Sequence, residues 1–305
     1  VLALQLRAAL ALREKAAVLP PGHLRPTRSV SESCKQKDPY KKGETPLDVQ
    51  RCQECYVETL TALRAVGGSD IVFGANDGRQ YDPGHSLGYW AAVPSHKKVF
   101  VEPVPPIYSR LQKNLAGMEN VVALNKAVRG AKQGPQLGLF CWDLDMIQQT
   151  VQHGAKPLPP QVRQPLAYWD ALCALDRSNL LEASNVFDTP EFGHLSAAAK
   201  DNITREVESH IVQYSVEALT PKEIVAQAGP SDVRYVQIDV EGLDNDIVRS
   251  LPFGEDGFWP DVVLYEDHQG VEVKPLLQSF GYHVCCCFDK WGRNFLAVLD
   301  KPQLP

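Results

Sequence analysis

The sequence lacks two features that would place it in a common class at once. It contains no uncharged apolar run of about 18 residues, so it predicts no transmembrane helix. It also lacks an excess of basic residues, because 31 Lys and Arg stand against 37 Asp and Glu, which argues against a dedicated nucleic-acid-binding protein. With 21 glycines and 23 prolines in 305 residues, both near average usage, collagen-like and low-complexity chains are excluded as well.

The first 45 residues differ in character from the rest of the chain. Residues 1–21 are rich in Ala and Leu, but Arg7, Arg13 and Glu14 interrupt them too early for the uncharged core of a signal peptide. We expect residues 1–45 to form a polar and partly helical lead-in, either a surface helix or a stem that follows a removed anchor. A cytoplasmic enzyme and a soluble domain in the lumen of the secretory pathway both fit this composition.

The eight cysteines leave several possibilities open. Cys52 and Cys55 have the spacing of a zinc-binding pair, but no second pair follows at a suitable distance, so no metal centre is predicted there. In an oxidising compartment Cys34 could form a disulfide with either of them. Residues 285–287 are three successive cysteines in an apolar segment, and we interpret them as small core residues.

Strands and helices alternate along the rest of the chain. The predicted strands cover residues 69–74, 97–103, 119–128, 210–219, 233–242, 261–268, 281–288 and 293–300. The predicted helices cover residues 45–66, 106–115, 172–183, 191–207, 220–229, 244–253 and 271–280. This alternation implies an α/β fold with a mostly parallel sheet and an antiparallel terminal strand pair. We expect residues 46–305 to form a single domain with an irregular insertion at about 131–210.

A buried strand that runs into a glycine-rich turn is the first segment to carry chemistry. Residues 71–78 read Ile-Val-Phe-Gly-Ala-Asn-Asp-Gly. Gly74 and Gly78 would let the backbone approach a ligand that side chains would block. Glu102 ends the next strand about 24 residues later, where nucleotide-binding sheets place an acid that accepts hydrogen bonds from both ribose hydroxyls. A tight turn without a ligand and an exposed strand-end glutamate are the alternatives.

A third segment, residues 237–244, ends an apolar strand in three acids, Asp239, Glu241 and Asp244. Ligands bind outside the carboxyl ends of strands in open α/β sheets, so Asp239 should face the same crevice as Gly74. Three acids so close together also suit a divalent metal, which is possible but not favoured. We expect instead that Asp244 caps the following helix and that only Asp239 and Glu241 touch the ligand.

In this order, these segments resemble the FkbM family of S-adenosylmethionine-dependent methyltransferases. The resemblance covers roughly residues 68–299. The residues that carry it are the turn GANDGRQYDP at 74–83, Glu102-Pro103, Leu111, Asn114, Asn125, Ala127, the segment 174–181, Asp239, Glu241, Gly242, Asp244, Tyr265-Glu266 and Gly281-Tyr282.

The resemblance implies a Rossmann-like class I methyltransferase fold, with helices on both faces of the sheet, that binds S-adenosylmethionine. Its expected acceptor is a hydroxyl on a sugar, a glycan or a small natural product. The implied assignments are Gly74, Asn76, Asp77 and Gly78 around the methionine and ribose, Glu102 with Pro103 at the ribose hydroxyls, Asn125 near the adenine, and Asp239 and Glu241 beside the methyl group and the acceptor.

Two positions depart from the family pattern. The family commonly has an acid where this chain has Val72, and Asp70, displaced by two residues, is not expected to point the same way. The family's serine before Asp-Arg is Ala174 here, which removes a hydroxyl from the crevice. A binding module that retains the fold without catalysis is therefore the alternative function. A nicotinamide-dependent oxidoreductase is disfavoured because the G-x-G-x-x-G fingerprint is missing.

A hydroxyl acceptor must lose its proton as it attacks, so a general base is expected in the crevice. His268 suits this role by its ordinary pKa and by its place after a strand, with Asp239 as a rival and His85 as a weaker candidate.

Trp142 or Trp169 could line an acceptor pocket. The triplet that begins at Asn202 is a glycosylation sequon, which matters only in the secretory pathway.

Overall fold

The computed structural model describes residues 67–78, 96–143, 172–183, 190–240, 242–267, 273–285 and 294–300, together with the helical residues Cys55, Glu58, Thr59 and Leu63. The strands in this part of the chain are β1 (Ser69–Phe73), β2 (Lys97–Val101), β3 (Val121–Leu124), β4 (Ala127–Val128), β5 (Gln136–Trp142), β6 (Cys173–Ala174), β7 (Ile211–Leu219), β8 (Val233–Ile238), β9 (Val262–Glu266), β10 (Tyr282–Cys285) and β11 (Asn294–Leu299). The α-helices are α1 (Pro105–Leu115), α2 (Arg177–Ala183), α3 (Pro190–Gly193), α4 (Ala197–Glu208), α5 (Pro221–Ala228), α6 (Asp244–Ser250) and α7 (Lys274–Ser279).

The central sheet has seven strands in the order β10-β11-β9-β8-β1-β2-β3. Strands β9, β8, β1, β2 and β3 pair in parallel, whereas β11 runs antiparallel to both β9 and β10. The predictions of an α/β fold, a mostly parallel sheet and a terminal antiparallel pair are confirmed. The chain lays β2 and β3 on one side of β1 and returns to place β8 on the other. The topological switch point, where open α/β sheets bind ligands, therefore lies between β1 and β8.

Helices cover both faces of this sheet, as predicted. On one face, apolar residues of β1, β2 and β8 pack against α5, α6 and α7. On the other face, Val72, Phe100 and Tyr235 pack against α1 and against the helical residues Cys55 and Leu63. Helix α1 was predicted from its apolar spacing, and the structure shows the reason. Ile107, Leu111 and Leu115 recur at helical spacing and are its buried residues.

A second sheet, in the order β4-β7-β5-β6, was not expected. Strand β7 matches a predicted strand but pairs with β4 and β5 rather than with the central sheet. Strand β5 lies within the stretch predicted to be irregular, although its buried Leu137, Leu139 and Cys141 alternate with period 2. That alternation is a strand signal that the sequence analysis missed.

The predicted helix over 172–183 is wrong at its start. Cys173–Ala174 is strand β6, and α2 begins only at Arg177. The Asp176 carboxylate accepts a hydrogen bond from the Ser178 backbone N–H at 2.7 Å, which satisfies a donor that the helix start leaves free. The predicted helix over 191–207 is also divided, because Ser196 caps a new helix, α4, with a bond from the Ala199 N–H at 3.3 Å.

Helix α5 begins with a complete capping box. The Thr220 hydroxyl accepts from the Glu223 N–H at 3.3 Å, and the Glu223 carboxylate accepts from the Thr220 N–H at 2.7 Å. We expect Thr220→Ala to lower the free energy of unfolding by about 1 kcal/mol, because a helix N–H loses its partner. Thr220→Ser keeps the oxygen and should lose less than half of that. Chemical denaturation of both variants measures this, and equal losses would contradict it.

A buried polar cluster sits at the amino-terminal ends of β1 and β2. His96 Nδ1 lies 3.1 Å from the nearer oxygen of Asp70, and Lys98 Nζ donates to the His96 carbonyl at 2.9 Å. Burial raises the pKa of Asp70 and lowers the pKa of Lys98. The expectation for the direction of Asp70 is wrong, because side chains two residues apart share a strand face. Asp70 lies on the face of Val72, about 7 Å nearer the start of the strand.

A disulfide joins Cys141 of β5 to Cys173 of β6, a pairing that the sequence analysis did not propose. Cys55 is also disulfide-bonded and is fully buried. Cys34 and Cys52, the other members of the predicted pairing, lie outside the described residues, and so do Cys286 and Cys287. Within the described part of the chain, no helix is both long and apolar enough to span a bilayer.

Candidate functional site

A cleft opens at the carboxyl ends of β1, β2 and β8, at the switch point of the sheet. Its polar side chains belong to Asn76, Glu102 and Asp239. The remaining lining residues are Gly74, Val101, Pro103, Val104, Ile107, Ala127, Val128, Leu137, Leu139, Cys173, Ala174, Leu175, Val240 and Leu243. The mixture of an apolar lining with a few polar groups is typical of small-molecule sites.

The glycine turn leaves β1 with Gly74 in a left-handed conformation, at a φ of 76°. Its N–H and that of Ala75 both donate to the Val101 carbonyl at 3.0 Å, which ties the turn to the end of β2. A Cβ on Gly74 would lie 1.7 Å from the Asp239 carbonyl oxygen. The predicted reason for this glycine, room for a ligand, is therefore incomplete, because close contact between β1 and β8 already requires it.

Asn76 continues the turn, also with positive φ, at 49°. Its N–H donates to Glu102 Oε2 at 2.9 Å, and its side-chain oxygen accepts from the Asp77 N–H. Asn114 of α1 donates from Nδ2 to the Asp77 carbonyl at 2.7 Å and so clamps the turn to the helix. Asp77 and Gly78 do not line the cleft, so the structure brings only Gly74 and Asn76 of the predicted turn residues to it.

Glu102 is the most constrained acid of the site. It is 4% exposed, and its second oxygen, Oε1, accepts from the Val104 N–H at 2.9 Å. Burial raises the pKa of this carboxyl to about 7, against the lowering by the two backbone hydrogen bonds and by the nearby Arg110. The group is thus a buried carboxyl with a raised pKa at the edge of the cleft.

Asn125 supports Glu102 from the end of β3. Its Nδ2 donates to the carbonyl oxygens of Glu102 at 3.0 Å and of Pro103 at 2.9 Å. These bonds fix the backbone that carries the carboxylate and turn Pro103 into the cleft lining. The resemblance implies that Asn125 lies near an adenine, and that role stays a prediction beside the positioning role seen here.

Asp239 lines the cleft directly after β8, and its N–H donates to the Phe73 carbonyl at 3.1 Å. The expectation that Asp244 caps a helix is wrong, since its carboxylate accepts from the N–H groups of Val240 and Gly242, both at 3.2 Å. Asp244 therefore closes the turn that presents Asp239. Burial, together with the charges of Asp239 and Glu266, raises the pKa of Asp244 to about 7.

Several predicted site residues lie outside the described part of the chain, namely Glu241, His268, His85 and Trp169. Trp142 is fully buried in a separate core cluster with Leu180 and does not line the cleft. Asn202 of the sequon is exposed on α4, and its modification stays a prediction. Among the described residues, no group of three or more His, Cys, Asp or Glu could hold a metal ion.

The apolar wall of the cleft was not predicted from the sequence. Leu137 and Leu139 of β5 and Cys173 to Leu175 at β6 line it opposite the strand ends. Only the alternation in β5 could have pointed to this wall, because its contact with the cleft depends on how the second sheet packs. Comparisons of the chain with protein-family models, curated proteins and solved structures found no match.

Proposed function

We propose that this protein is an S-adenosylmethionine-dependent methyltransferase, of the FkbM type, that methylates a hydroxyl group. The observation that carries the proposal is the buried Glu102 carboxylate, held by two backbone N–H groups beside a glycine turn at the switch point of the sheet. An acid in this place is the usual partner of the two ribose hydroxyls of a nucleoside.

The residues present fit a nucleoside with a free ribose. Each Glu102 oxygen accepts one hydrogen bond from the backbone, and a carboxylate has about four lone-pair sites, so each oxygen can accept one more. The raised pKa of Glu102 reflects lost hydration, which hydroxyl donors in the cleft would replace. The apolar Val104, Ile107 and Ala127 line the cleft near this carboxylate and suit a flat base.

The acids at the ends of β8 and β9 suit the other half of the cofactor. S-adenosylmethionine, when bound, supplies an activated methyl group on a positively charged sulfur. Asp239 lines the cleft. Its negative charge and that of Glu266 both raise the pKa of Asp244. This field favours a cation, and Asp239 is the described residue best placed to accept the proton of a hydroxyl acceptor. Glu241 and His268 remain the predicted partners in that step.

The strand order also supports a methyltransferase fold. The order β3-β2-β1-β8-β9 is the 3-2-1-4-5 arrangement of doubly wound sheets. The last strand, β11, enters antiparallel between β9 and β10 instead of extending the parallel series. We infer that the fold is the class I methyltransferase variant of this architecture, as the resemblance of the motifs implies.

One observation favours a second function, a binding module without catalysis. Ala174 lines the cleft at the position where the resemblance places a serine, so the cleft lacks that hydroxyl. In this alternative the protein keeps the cofactor cleft but does not transfer a methyl group. Its sugar, glycan or small-molecule ligand would be bound and released unchanged.

Calorimetric titration with S-adenosylmethionine, with NAD as the comparison ligand, tests the proposal. We expect micromolar binding of S-adenosylmethionine and at least tenfold weaker binding of NAD (roughly 1.4 kcal/mol). Transfer of a labelled methyl group to a panel of sugars and phenols then separates an enzyme from a binding module. A folded protein that binds no S-adenosylmethionine would contradict the proposed function.

The affinity for S-adenosylmethionine should rise with pH through the pKa of Glu102, about 7. Ribose hydroxyls donate to the ionised carboxylate, so the protonated form must first lose its proton. The affinity should fall about 30-fold from pH 8 to pH 5.5, with proton release on binding at the lower pH. In the ligand-free protein, burial favours the protonated carboxyl of Glu102. Its contribution to the free energy of unfolding is therefore present at low pH and is lost as the pH rises from about 4.5 to about 7.

Titrations in buffers of different ionisation enthalpy measure this proton release. Glu102→Gln removes this titrating group, so its residual affinity should change with pH much less than that of the wild type, with Asp244, whose pKa is also about 7, left to titrate. A wild-type affinity that does not change between pH 5.5 and pH 8 would contradict the role of Glu102.

We also propose that the protein works in an oxidising compartment. The disulfide between Cys141 and Cys173 and the disulfide bond of Cys55 both favour the luminal alternative over a cytoplasmic enzyme. Free-thiol labelling of the protein isolated from its own cells tests this, and reduced Cys141 and Cys173 in that sample would contradict it.

A further inference from the structure

The apolar wall of the cleft depends on a very short strand. Strand β6 has two residues, and its ladder with β5 consists of the pairs Phe140 with Ala174 and Cys141 with Cys173. Yet Cys173, Ala174 and the following Leu175 all line the cleft. So short a pairing is marginal by itself, so other contacts must hold this part of the wall in place.

The disulfide between Cys141 and Cys173 supplies such a contact at the cleft itself. Cys141 is 2% exposed and packs with Leu139 and Val104, which also line the cleft. Cys173 is only half-buried, and it lines the cleft. Cys141 is thus covered by the protein, whereas Cys173 lies at the cleft.

We propose that the disulfide between Cys141 and Cys173 is a positioning element of the ligand site, which holds β6 against β5 so that the cleft keeps its apolar wall. A ligand in the cleft in turn shields this bond from reduction. The inference rests on the proposed function only for the identity of the ligand, S-adenosylmethionine. The two cysteines are 32 residues apart in the sequence, so loss of the bond removes a covalent constraint on the position of β6.

The chemistry of opening the bond is a thiol–disulfide exchange. A dithiol reductant attacks Cys173 Sγ as a thiolate, breaks the bond to Cys141 Sγ and forms a mixed disulfide with Cys173. Its second thiol releases Cys173, so the reductant becomes a disulfide and the protein gains two thiols. The first attack needs access through the cleft, and an occupied cleft denies it.

Affinity and redox state must then be linked in both directions. If the ligand binds the oxidised form more tightly, it stabilises the bond by the same factor. We expect Cys141→Ala/Cys173→Ala to weaken binding of S-adenosylmethionine about tenfold, within the usual range of such couplings. Reductant added to this double variant should change its affinity no further. A further loss would place the redox effect elsewhere in the protein and overturn the assignment.

The protection experiment uses Cys55 as an internal control. Cys55 is disulfide-bonded but packs in the core cluster on the α1 face of the sheet and does not line the cleft. The wild-type protein is treated with dithiothreitol with and without saturating S-adenosylmethionine, and new thiols are alkylated and assigned by peptide mass spectrometry. The ligand should slow the appearance of thiols at Cys141 and Cys173 about fivefold or more and leave Cys55 unchanged. Equal protection at all three, or no protection when calorimetry shows that S-adenosylmethionine is bound, would overturn the proposal.

A measurement without ligand separates this inference from the proposed function. Hydrogen exchange is compared between the wild type and the double alanine variant. We expect exchange at least about tenfold faster over residues 136–142 and 172–175 in the variant, and unchanged exchange over β8. If the wall exchanges as in the wild type, the positioning role is wrong, whether or not S-adenosylmethionine binds. If the wall loosens but nothing binds, only the proposed function fails.

Discussion

Gly74→Ala should lower the free energy of unfolding by more than about 4 kcal/mol, an exceptional loss for one methyl group. The added Cβ would lie 1.7 Å from the Asp239 carbonyl oxygen, and neither backbone can move without separating β1 from β8. The φ of 76° adds a further cost of about 1 kcal/mol for any residue with a Cβ. Chemical denaturation, or the soluble folded yield where the variant does not refold, measures the effect.

Gly117→Ala is the matched control. Gly117 also has a positive φ, at 85°, but a Cβ there would meet nothing within 4 Å. This variant carries the cost of the backbone conformation alone, so we expect a loss of about 1 kcal/mol. If the two variants lost equal stability, the contact between the glycine turn and the end of β8 would not be the reason for Gly74.

Glu102→Ala should weaken the binding of S-adenosylmethionine about 200-fold, which corresponds to about 3 kcal/mol. Two charge-assisted hydrogen bonds from ribose hydroxyls contribute about 1.5–3 kcal/mol each, and part of that is offset by water entering the cavity. The variant also leaves the N–H groups of Asn76 and Val104 without their acceptor, so the turn itself is expected to loosen. Calorimetric titration measures the affinity, and a thermal melt shows whether the protein is folded.

Two further variants separate the role of the carboxylate from the role of the fold. Glu102→Gln keeps one acceptor oxygen and the shape of the side chain, so we expect a smaller stability loss but still at least tenfold weaker binding. Glu119→Gln removes an exposed acid after α1 and should change neither property. Wild-type affinity in Glu102→Gln would mean that the carboxylate serves only the glycine turn.

The predictions that succeeded rest on patterns within single segments. The strands that end at Gly74 and Glu102 and the segment that contains Asp239 were predicted because buried parallel strands read as short apolar runs bounded by turn residues. Their carboxyl ends must then meet at one edge of the sheet, which brings Gly74, Glu102 and Asp239 together. Helix α5 was predicted with its capping residue, Thr220, for the same local reason.

Two of the predictions that failed have different causes, one local and one tertiary. Asp244 was expected to cap the helix it begins, but the turn after β8 leaves the N–H groups of Val240 and Gly242 closer to its carboxylate. The helix predicted over 172–183 loses its first residues because β5 offers Cys173–Ala174 a strand partner. In the first case a local turn takes up the Asp244 carboxylate, and in the second a tertiary contact outweighs a weak local preference.

The sequence by itself determined the α/β class, the direction of most strands and the acids at the strand ends, because periodicity and turn chemistry act within a few residues. Only the tertiary structure decided that Gly74 must be a glycine because of β8, that Asn125 holds the backbone of Glu102, and that Cys141 pairs with Cys173. The second sheet, and with it the apolar wall of the cleft, belongs to the same group. These features join residues far apart in the chain, and such contacts are chosen by packing and loop closure, which no local pattern records.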